Sequence, residues 1–345
     1  MPQFKSLRRW LPLLPLALLA GCNTVLLNPS GDIANQQGRL IVVSTVLMLI
    51  IIVPVIALTL YFAWRYRQSS KEAEAEYAPD WDHSTQLELA IWAAPLLIII
   101  ALGAITWIST HTLDPYRPLS RLDAERPIPA ETKPLVVEVV ALDWKWLFIY
   151  PEQGIATVNE MAAPVDRPIS FKLTASTVMN SFFIPALAGQ IYAMPGMETR
   201  LHAVINKPGE FEGFSANYSG AGFSGMRFKF HGLSNTDFDQ WVQKVKAGKD
   251  GELTREQYKK LEVPSEREPV RHYATVAPDL YDAILNRCVD RNKMCMKQMM
   301  AIDADGGLGK PGAFNVATKQ AWQAADPLIN SPMRKYVTAM CTTEE

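Results

Sequence analysis

The sequence predicts a membrane-anchored α+β protein, in which a two-helix transmembrane hairpin precedes a Greek-key β-sandwich and a helical C-terminal extension. Two uncharged apolar runs, 40–64 and 89–110, are each long enough to cross a bilayer. Short alternating segments separated by Pro and Gly fill 135–233, as in antiparallel sandwiches. From residue 234 the apolar spacing changes to a helical period.

The composition restricts the function. The 345-residue chain has a formal net charge of -1, so no charge excess favours a nucleic-acid partner. It contains 5 His and 4 Cys, which leaves little material for a metal or nucleophilic site. The sequence has no phosphate-binding glycine motif, no serine-nucleophile motif and no HExxH motif.

The N-terminus, residues 1–21, predicts an export signal. Three basic residues precede a short apolar run, which ends in Leu19-Ala20-Gly21-Cys22. Small residues directly before a Cys resemble a bacterial lipoprotein signal, and this resemblance implies lipidation of Cys22. The alternative is an ordinary signal with a chance Cys.

A lipidated Cys22 lies outside the inner membrane, and this fixes the predicted topology. Residues 22–39 are then periplasmic, 40–64 cross inward, 65–88 form a cytoplasmic loop, and 89–110 cross outward. Everything beyond the second span faces the periplasm. Two buried core helices of a soluble protein are the alternative, which the length and apolarity of the runs disfavour.

The soluble part begins after a Pro-rich linker, 111–134. The segment Ile169 to Thr174 alternates apolar and polar residues, which is typical of a half-buried strand. Similar alternation recurs at Leu201 to Ile205 and at Met226 to Phe230. The segment 135–233 therefore predicts the sandwich.

An aromatic-rich helical extension is predicted over 234–300. The first helix carries apolar residues at i, i+3, i+4 and i+7, namely Phe238, Trp241, Val242 and Val245. Thr254 begins a capping-box pattern before a second helix, and Pro278 opens a third. The tail, 301–345, predicts little regular structure and has no assigned role.

Four ordered motifs then identify a family. They are Glu88 ahead of Trp92-Ala93-Ala94-Pro95, the segment Asp143 to Gly154, the segment Met179 to Pro185, and the segment Gln190 to Met197. Over roughly 19–286 the chain resembles subunit II of the haem–copper oxidases, and most of all that of cytochrome bo-type ubiquinol oxidases. The resemblance implies a cupredoxin-like fold for 135–233.

The family resemblance also sets expectations for cofactors and partners. Quinol oxidation, the haems and the oxygen-reducing copper belong to subunit I in that family, so this chain is expected to bind no cofactor itself. Expected partners are subunits I, III and IV, the lipid bilayer, and ubiquinol through subunit I. The expected location is the bacterial inner membrane.

Copper-ligand positions of the related cytochrome c oxidases hold other residues here. Those oxidases bind two coppers through two thiolates, two His, a Met and a carbonyl, and soft thiolates suit a copper redox couple. This chain has Asn180 at a His position and Ser219 and Phe223 at the thiolate positions. We therefore expect no redox copper, with Phe223 and Met226 packed in the vacated space. His202, on the outward phase of its strand, is interpreted as a surface residue.

Glu88 is the sharpest functional candidate. It lies at the cytoplasmic start of the second span, where a carboxylate is costly unless it reaches water. The family resemblance implies that protons enter one pathway of subunit I at this glutamate. The alternative is a solvated charge that the helix dipole stabilises.

Cys288, Cys295 and Cys341 are disulfide candidates, since they face an oxidising compartment. On one continuous helix the first two would lie about 10 Å apart, beyond the roughly 7 Å that a disulfide spans. Either the helix breaks near Asp290, or one of the two pairs with Cys341. Neighbouring methionines raise Cu(I) capture as an alternative to simple packing.

The function that these expectations support is an accessory subunit of a proton-pumping ubiquinol oxidase. One rival is a copper-bearing cytochrome c oxidase subunit, against which the ligand inventory argues. A second rival is a free-standing lipoprotein that acts as a binding module or sensor. Co-purification with haem separates the second rival from the oxidase.

Overall fold

The computed structural model describes residues 25–67, 82–129 and 131–304. The chain divides into two compact units. One unit, Asn35–Arg117, contains most of the two long helices. The described residues before and after it form the other unit, which contains the β-sandwich.

The long helices are α1, Asp32–Arg65, and α2, Thr85–Thr112. Both are long and apolar enough to cross a membrane, and their apolar windows are not buried by protein. Leu89 and Trp92, for example, are 70% and 78% exposed. A core helix of a soluble protein buries such side chains, so the exposed apolar length fits a helix surrounded by lipid.

Helix α1 begins before the predicted span 40–64. Its first residue, Asp32, is buried and accepts hydrogen bonds from Arg121 Nε at 2.9 Å and Arg121 Nη2 at 3.1 Å. The adjacent Gly31 forms an antiparallel bridge with Ile205. These contacts make residues ahead of the span part of the sandwich unit. A hydropathy pattern cannot predict such contacts.

The first sheet runs in the order β12-β3-β2-β1-β5-β8, with β1 and β5 parallel and the other neighbours antiparallel. Its strands are β1 Leu135–Leu142, β2 Lys145–Tyr150, β3 Ile155–Val158, β5 Ile169–Ala175, β8 Thr199–Ala203 and β12 Arg271–Tyr273. The alternation predicted for Ile169 to Thr174 lies within β5.

The second sheet runs in the order β4-β10-β9-β6-β7, with β4 and β10 parallel. Its strands are β4 Glu160–Pro164, β6 Asn180–Phe183, β7 Ile191–Ala193, β9 Gly209–Ser215 and β10 Arg227–Leu233. A small parallel pair joins β11 Glu252–Leu253 to β13 Thr275–Val276. Non-consecutive strands neighbour one another in both sheets, which confirms the predicted Greek-key sandwich.

An aromatic core fills the sandwich. The Phe182 ring stacks on Phe228 with centroids 5.4 Å apart and meets Trp146 edge-on at 5.3 Å. Phe148 and Phe171 surround this group, and all five rings are at most 3% exposed. Such edge and stacked contacts add to the stabilisation that burial of this large apolar area provides.

The helical extension comprises α3 Asn235–Lys246, α4 Arg255–Glu262, α5 Leu280–Leu285 and α6 Met296–Ala304. Helix α3 buries the four predicted apolar residues. The Thr254 hydroxyl accepts a hydrogen bond from the Gln257 N–H at 3.2 Å, which confirms the predicted cap. Buried side chains of α4 and α5, including Tyr258 and Leu280, form a second core against Val140 and Leu147 of the first sheet.

Candidate functional site

The β1–β2 turn places Trp144 against a glycine-rich loop, Tyr218 to Met226. Trp144 adopts a left-handed backbone with φ of 74°, and its indole N–H donates to the Ser219 carbonyl at 3.0 Å. A Cβ added at Gly220 or Gly222 would lie 2.9 or 2.6 Å from the indole. The loop therefore lies directly on the Trp144 ring, and only glycine allows this approach.

Asn180, at the first copper-ligand position, begins strand β6 and is 1% exposed. Its amide N–H donates to the Val178 carbonyl at 3.1 Å, and its amide oxygen accepts from the Ser215 hydroxyl at 3.2 Å. Both ends of the amide are therefore engaged within the protein, as a buried polar group requires.

Ser219 and Phe223, at the thiolate positions, lie in the glycine-rich loop. The Ser219 hydroxyl is buried and has no hydrogen-bond partner among the described residues. Phe223 begins a 3-10 turn, is only half-buried, and packs on the exposed Tyr218 with ring centroids 5.6 Å apart. Met226 is fully buried in the core. Met226 is thus a core residue, whereas Phe223, in its 3-10 turn, lies closer to the surface.

The groups present do not fit a redox copper. The two coppers of a cytochrome c oxidase subunit II require thiolates and imidazoles, and these positions supply an amide, a hydroxyl and a phenyl ring. Within 25–67, 82–129 and 131–304, no group of three or more His, Cys, Asp or Glu is placed to hold a metal ion. His202 is half-buried on β8, where burial, and secondly Arg200, lowers the pKa of its imidazole.

Glu88 lies in the first turn of α2, and its carboxylate is exposed. The Oε1 atom lies 2.7 Å from His83 Nδ1, just ahead of the helix. Most of the loop between the two long helices, 68–81, lies outside the described residues, as does the predicted lipidation site Cys22. The local geometry therefore places an exposed carboxylate beside an imidazole at the start of this helix.

The structure pairs Cys288 with Cys295 in a disulfide, with Cα atoms 4.8 Å apart. Helix α5 ends at Leu285 and α6 begins at Met296, so the two cysteines do not share a helix. Arg287, between the end of α5 and Cys288, adopts a left-handed backbone with φ of 56°, which turns the chain there. Cys341 and the rest of 305–345 lie outside the described residues.

One charged cluster was not predicted from the sequence. The Glu160 carboxylate lies 3.1 Å from His231 Nε2 and 2.6 Å from His272 Nε2. The hydrogen bond from His231, and then that from His272, lowers the pKa of Glu160 to about 2 against the opposing effect of burial. The three residues come from β4, β10 and β12, so no local spacing signals the cluster.

Two family models match the sandwich and the extension. The model described as the cytochrome c oxidase subunit II periplasmic domain matches residues 152–232. The model described as the COX aromatic rich motif matches residues 247–292. The second match covers most of the helical extension. It includes α4, α5 and Cys288, the first cysteine of the disulfide.

Several curated relatives are similar over most of their length. The cytochrome bo(3) ubiquinol oxidase subunit 2 of Pseudomonas putida is 52% identical over 283 residues, 82% of this chain and 86% of the relative. The ubiquinol oxidase subunit 2 of Acetobacter aceti is 52% identical over 268 residues, 78% and 84% of the two chains. The quinol oxidase subunit 2 of Bacillus subtilis is 38% identical over 268 residues, 76% and 79% of the two chains.

One solved structure matches a third of the chain. The periplasmic domain of cytochrome oxidase subunit II of Bradyrhizobium japonicum is 24% identical, covers 33% of this chain and 94% of its own, and gives a TM-score of 0.32. Two exposed apolar helices and a cupredoxin-like sandwich with an aromatic-rich extension define a membrane-anchored oxidase subunit II. The chain belongs to the ubiquinol oxidase subunit 2 family.

Proposed function

We propose that this chain is the accessory subunit of a proton-pumping ubiquinol oxidase that passes electrons from ubiquinol to O2. The observation that carries the proposal is the amide, hydroxyl and phenyl ring at Asn180, Ser219 and Phe223, where a copper-bearing subunit has metal ligands. A soluble cytochrome donor requires a docking copper in this subunit, whereas a quinol dissolved in the membrane does not. The 52% identity to the Pseudomonas putida ubiquinol oxidase subunit 2 supports the quinol donor.

Oxygen uptake by the intact complex tests the donor. The complex is purified through a tag on this chain and supplied with ubiquinol or, separately, with reduced cytochrome c. Uptake with ubiquinol alone is expected. Uptake with cytochrome c would contradict the proposal, and a preparation without haem or uptake would instead favour a free-standing lipoprotein.

The catalytic centres in this proposal lie in subunit I, and this chain binds no redox copper. Its partners are subunit I together with subunits III and IV. Metal analysis and absorption spectroscopy of the purified full-length chain provide the test. Stoichiometric copper with an intense thiolate charge-transfer band would overturn this part of the proposal.

Glu88 is proposed as the glutamate at which protons enter a pathway of subunit I. Its exposed carboxylate at the start of α2 has access to water, and its His83 neighbour offers a second proton-binding group. In the assembled enzyme, Glu88→Gln is expected to lower turnover and proton uptake, and Glu88→Asp to retain both. Asp82→Asn, an exposed acidic residue just ahead of the helix, is the matched control. Unchanged turnover in Glu88→Gln would remove this residue from the mechanism.

Lipidation of Cys22 is proposed to anchor the chain in the bacterial inner membrane, with the sandwich in the periplasm. Two acyl chains give stable membrane binding where one is marginal. The mass of the N-terminal peptide from the purified chain provides the test, with Cys22→Ser as the unmodified control. A mature chain that starts elsewhere or carries no lipid would exclude the anchor.

A further inference from the structure

A cleft of about 450 Å³ lies where the loop after β5 meets the helical extension. Its walls include Ser176 from that loop, Tyr258 from α4, and Arg287 and Lys293 from the segment between α5 and α6. This volume falls within the range of small-molecule binding sites, roughly 300–1,000 Å³. None of the roles assigned above uses this cleft.

The cleft carries cations without full partners. Lys259, Arg287 and Lys293 line it together with two carboxylates, Glu262 and Asp290. Among the described residues, Arg287 and Lys293 form no ion pair within 4 Å, whereas Lys259 lies 3.5 Å from Glu256 and 3.9 Å from Asp290. Burial raises the pKa of Glu262, while the neighbouring Lys293 and Arg287 lower it.

Two hydroxyl groups in the same cleft have no hydrogen-bond partner. The Tyr258 hydroxyl and the Ser176 hydroxyl are both buried and unpaired within the described part of the chain. Tyr258 is 0% exposed, and its hydroxyl lies near the Glu262 carboxylate without a hydrogen bond of normal geometry. Buried polar groups are nearly always paired in native proteins, so two unpaired hydroxyls in one cleft indicate a missing partner.

The disulfide holds one wall of the cleft in place. Lys293 lies between Cys288 and Cys295, and Arg287 directly precedes the first of them. The Cys288 carbonyl also accepts a hydrogen bond from Arg255 Nη1 at 2.9 Å, which ties this segment to α4. A cation on a cross-linked segment loses less conformational freedom when it binds a ligand.

We propose that this cleft binds a phosphate group, carried either by a soluble phosphate ester or by a phospholipid headgroup. Three cationic side chains and two hydroxyl groups, all hydrogen-bond donors, line one space. Phosphate offers more acceptor oxygens than a carboxylate does, and Arg binds it through two parallel hydrogen bonds. The apolar side chains of Ile284 and Val289 in the wall leave room for the remainder of the ligand. The proposal does not depend on the oxidase assignment.

Binding is measured on the purified full-length chain in detergent and phosphate-free buffer. Inorganic phosphate and glycerol 3-phosphate are titrated separately by calorimetry, and phospholipid phosphorus retained after delipidation is counted per chain. Saturable binding of either soluble probe supports a phosphate ester. Retained phospholipid that is lost in the cleft variants supports a headgroup.

The cleft variant combines Arg287→Gln with Lys293→Gln, and the matched control combines Lys244→Gln with Lys260→Gln, two exposed lysines outside the cleft. The cleft variant is expected to weaken phosphate binding by about tenfold or more, since it removes two charge-assisted contacts. The control is expected to bind as wild type does. Equal loss in both variants would indicate non-specific attraction and overturn the proposal.

Tyr258→Phe separates ligand binding from folding. This change removes an unpaired hydroxyl and leaves the packing intact, so the thermal midpoint without phosphate is expected to stay the same or rise. The phosphate-dependent increase in that midpoint is expected to shrink. The proposal is overturned if neither soluble probe binds and no phospholipid is retained, or if all variants bind as wild type does.

Discussion

Replacing Glu160 with Gln tests the cluster that joins the two sheets and the helical extension. Glu160 begins β4 in the second sheet, where His231 lies on the neighbouring β10. His272 lies on β12 of the first sheet, inside the segment matched by the aromatic-rich model. The Glu160→Gln change keeps the size of the side chain and removes the charge that both imidazoles contact.

The expected cost follows from the lowered pKa of Glu160. The pKa falls from its ordinary 4.5 to about 2. At about 1.4 kcal/mol per pH unit this corresponds to about 3 kcal/mol at full value. The Glu160 side chain is 13% exposed and the imidazoles about a fifth exposed, so solvent screening reduces the expectation to about 1–2 kcal/mol. The contribution is present above the ordinary carboxyl pKa and is lost as the pH falls towards about 2.

Thermal unfolding of the full-length chain in detergent measures this cost through tryptophan fluorescence. At about pH 6, Glu160→Gln is expected to lower Tm by about 2–8 °C, and the difference from wild type is expected to shrink at about pH 3. Glu212→Gln, an exposed carboxylate paired with Arg227, is the control and is expected to change little. The reasoning is refuted if Tm is unchanged at the higher pH, or if the difference grows as the pH falls.

Three further predictions concern the disulfide, the glycine-rich loop and a half-buried acid. Joint replacement of Cys288 and Cys295 by Ser is expected to lower the free energy of unfolding by about 2 kcal/mol, a modest loss because the loop that the disulfide closes is short. Adding a reductant to the wild-type chain should lower Tm by the same amount. Gly222→Ala is expected to lower the free energy of unfolding by about 1–3 kcal/mol and to shift tryptophan emission, because the new Cβ would lie 2.6 Å from the Trp144 ring. Gly225→Ala is the control and should change neither quantity, since the nearest atom to its Cβ would be 3.5 Å away. Burial raises the pKa of Glu138 to about 7. Because the folded protein then holds this proton more tightly than the unfolded chain does, the stability from this group is lost as the pH rises from about 4.5 through about 7. Glu138→Gln should therefore flatten that part of the plot of Tm against pH.

Local periodicity in the sequence predicted those helices and strands whose apolar pattern repeats within a few residues. The alternation of Ile169 to Thr174 predicted strand β5, and the spacing of Phe238 and Trp241 predicted the buried face of α3. Both signals come from burial on one side of a regular element, which is a property of the segment itself. The Thr254 cap was predictable for the same reason, since the residue it bonds to is three positions away.

Contacts between segments far apart in the chain could not be predicted from the spacing of residues in the sequence. Arg121 and Asp32 are 89 positions apart, and they pair at the residue where α1 begins. Glu160 and His272 are 112 positions apart and meet only because β12 joins the first sheet beside β3. The cysteine pairing remained open at the level of sequence because it depends on where α5 ends, and no periodic signal marked that end.

A copper-free loop still needs something to hold its conformation, and the side chains around Trp144 supply it. In a copper-bearing subunit II, metal–thiolate bonds would fix the glycine-rich loop. Here the indole N–H holds the Ser219 carbonyl, and Gly220 and Gly222 lie close enough on the ring to exclude a side chain. Asn180 joins β6 to Ser215 at the base of the same loop. Under the copper-free proposal, hydrogen bonds and aromatic packing thus hold the loop's conformation without a metal.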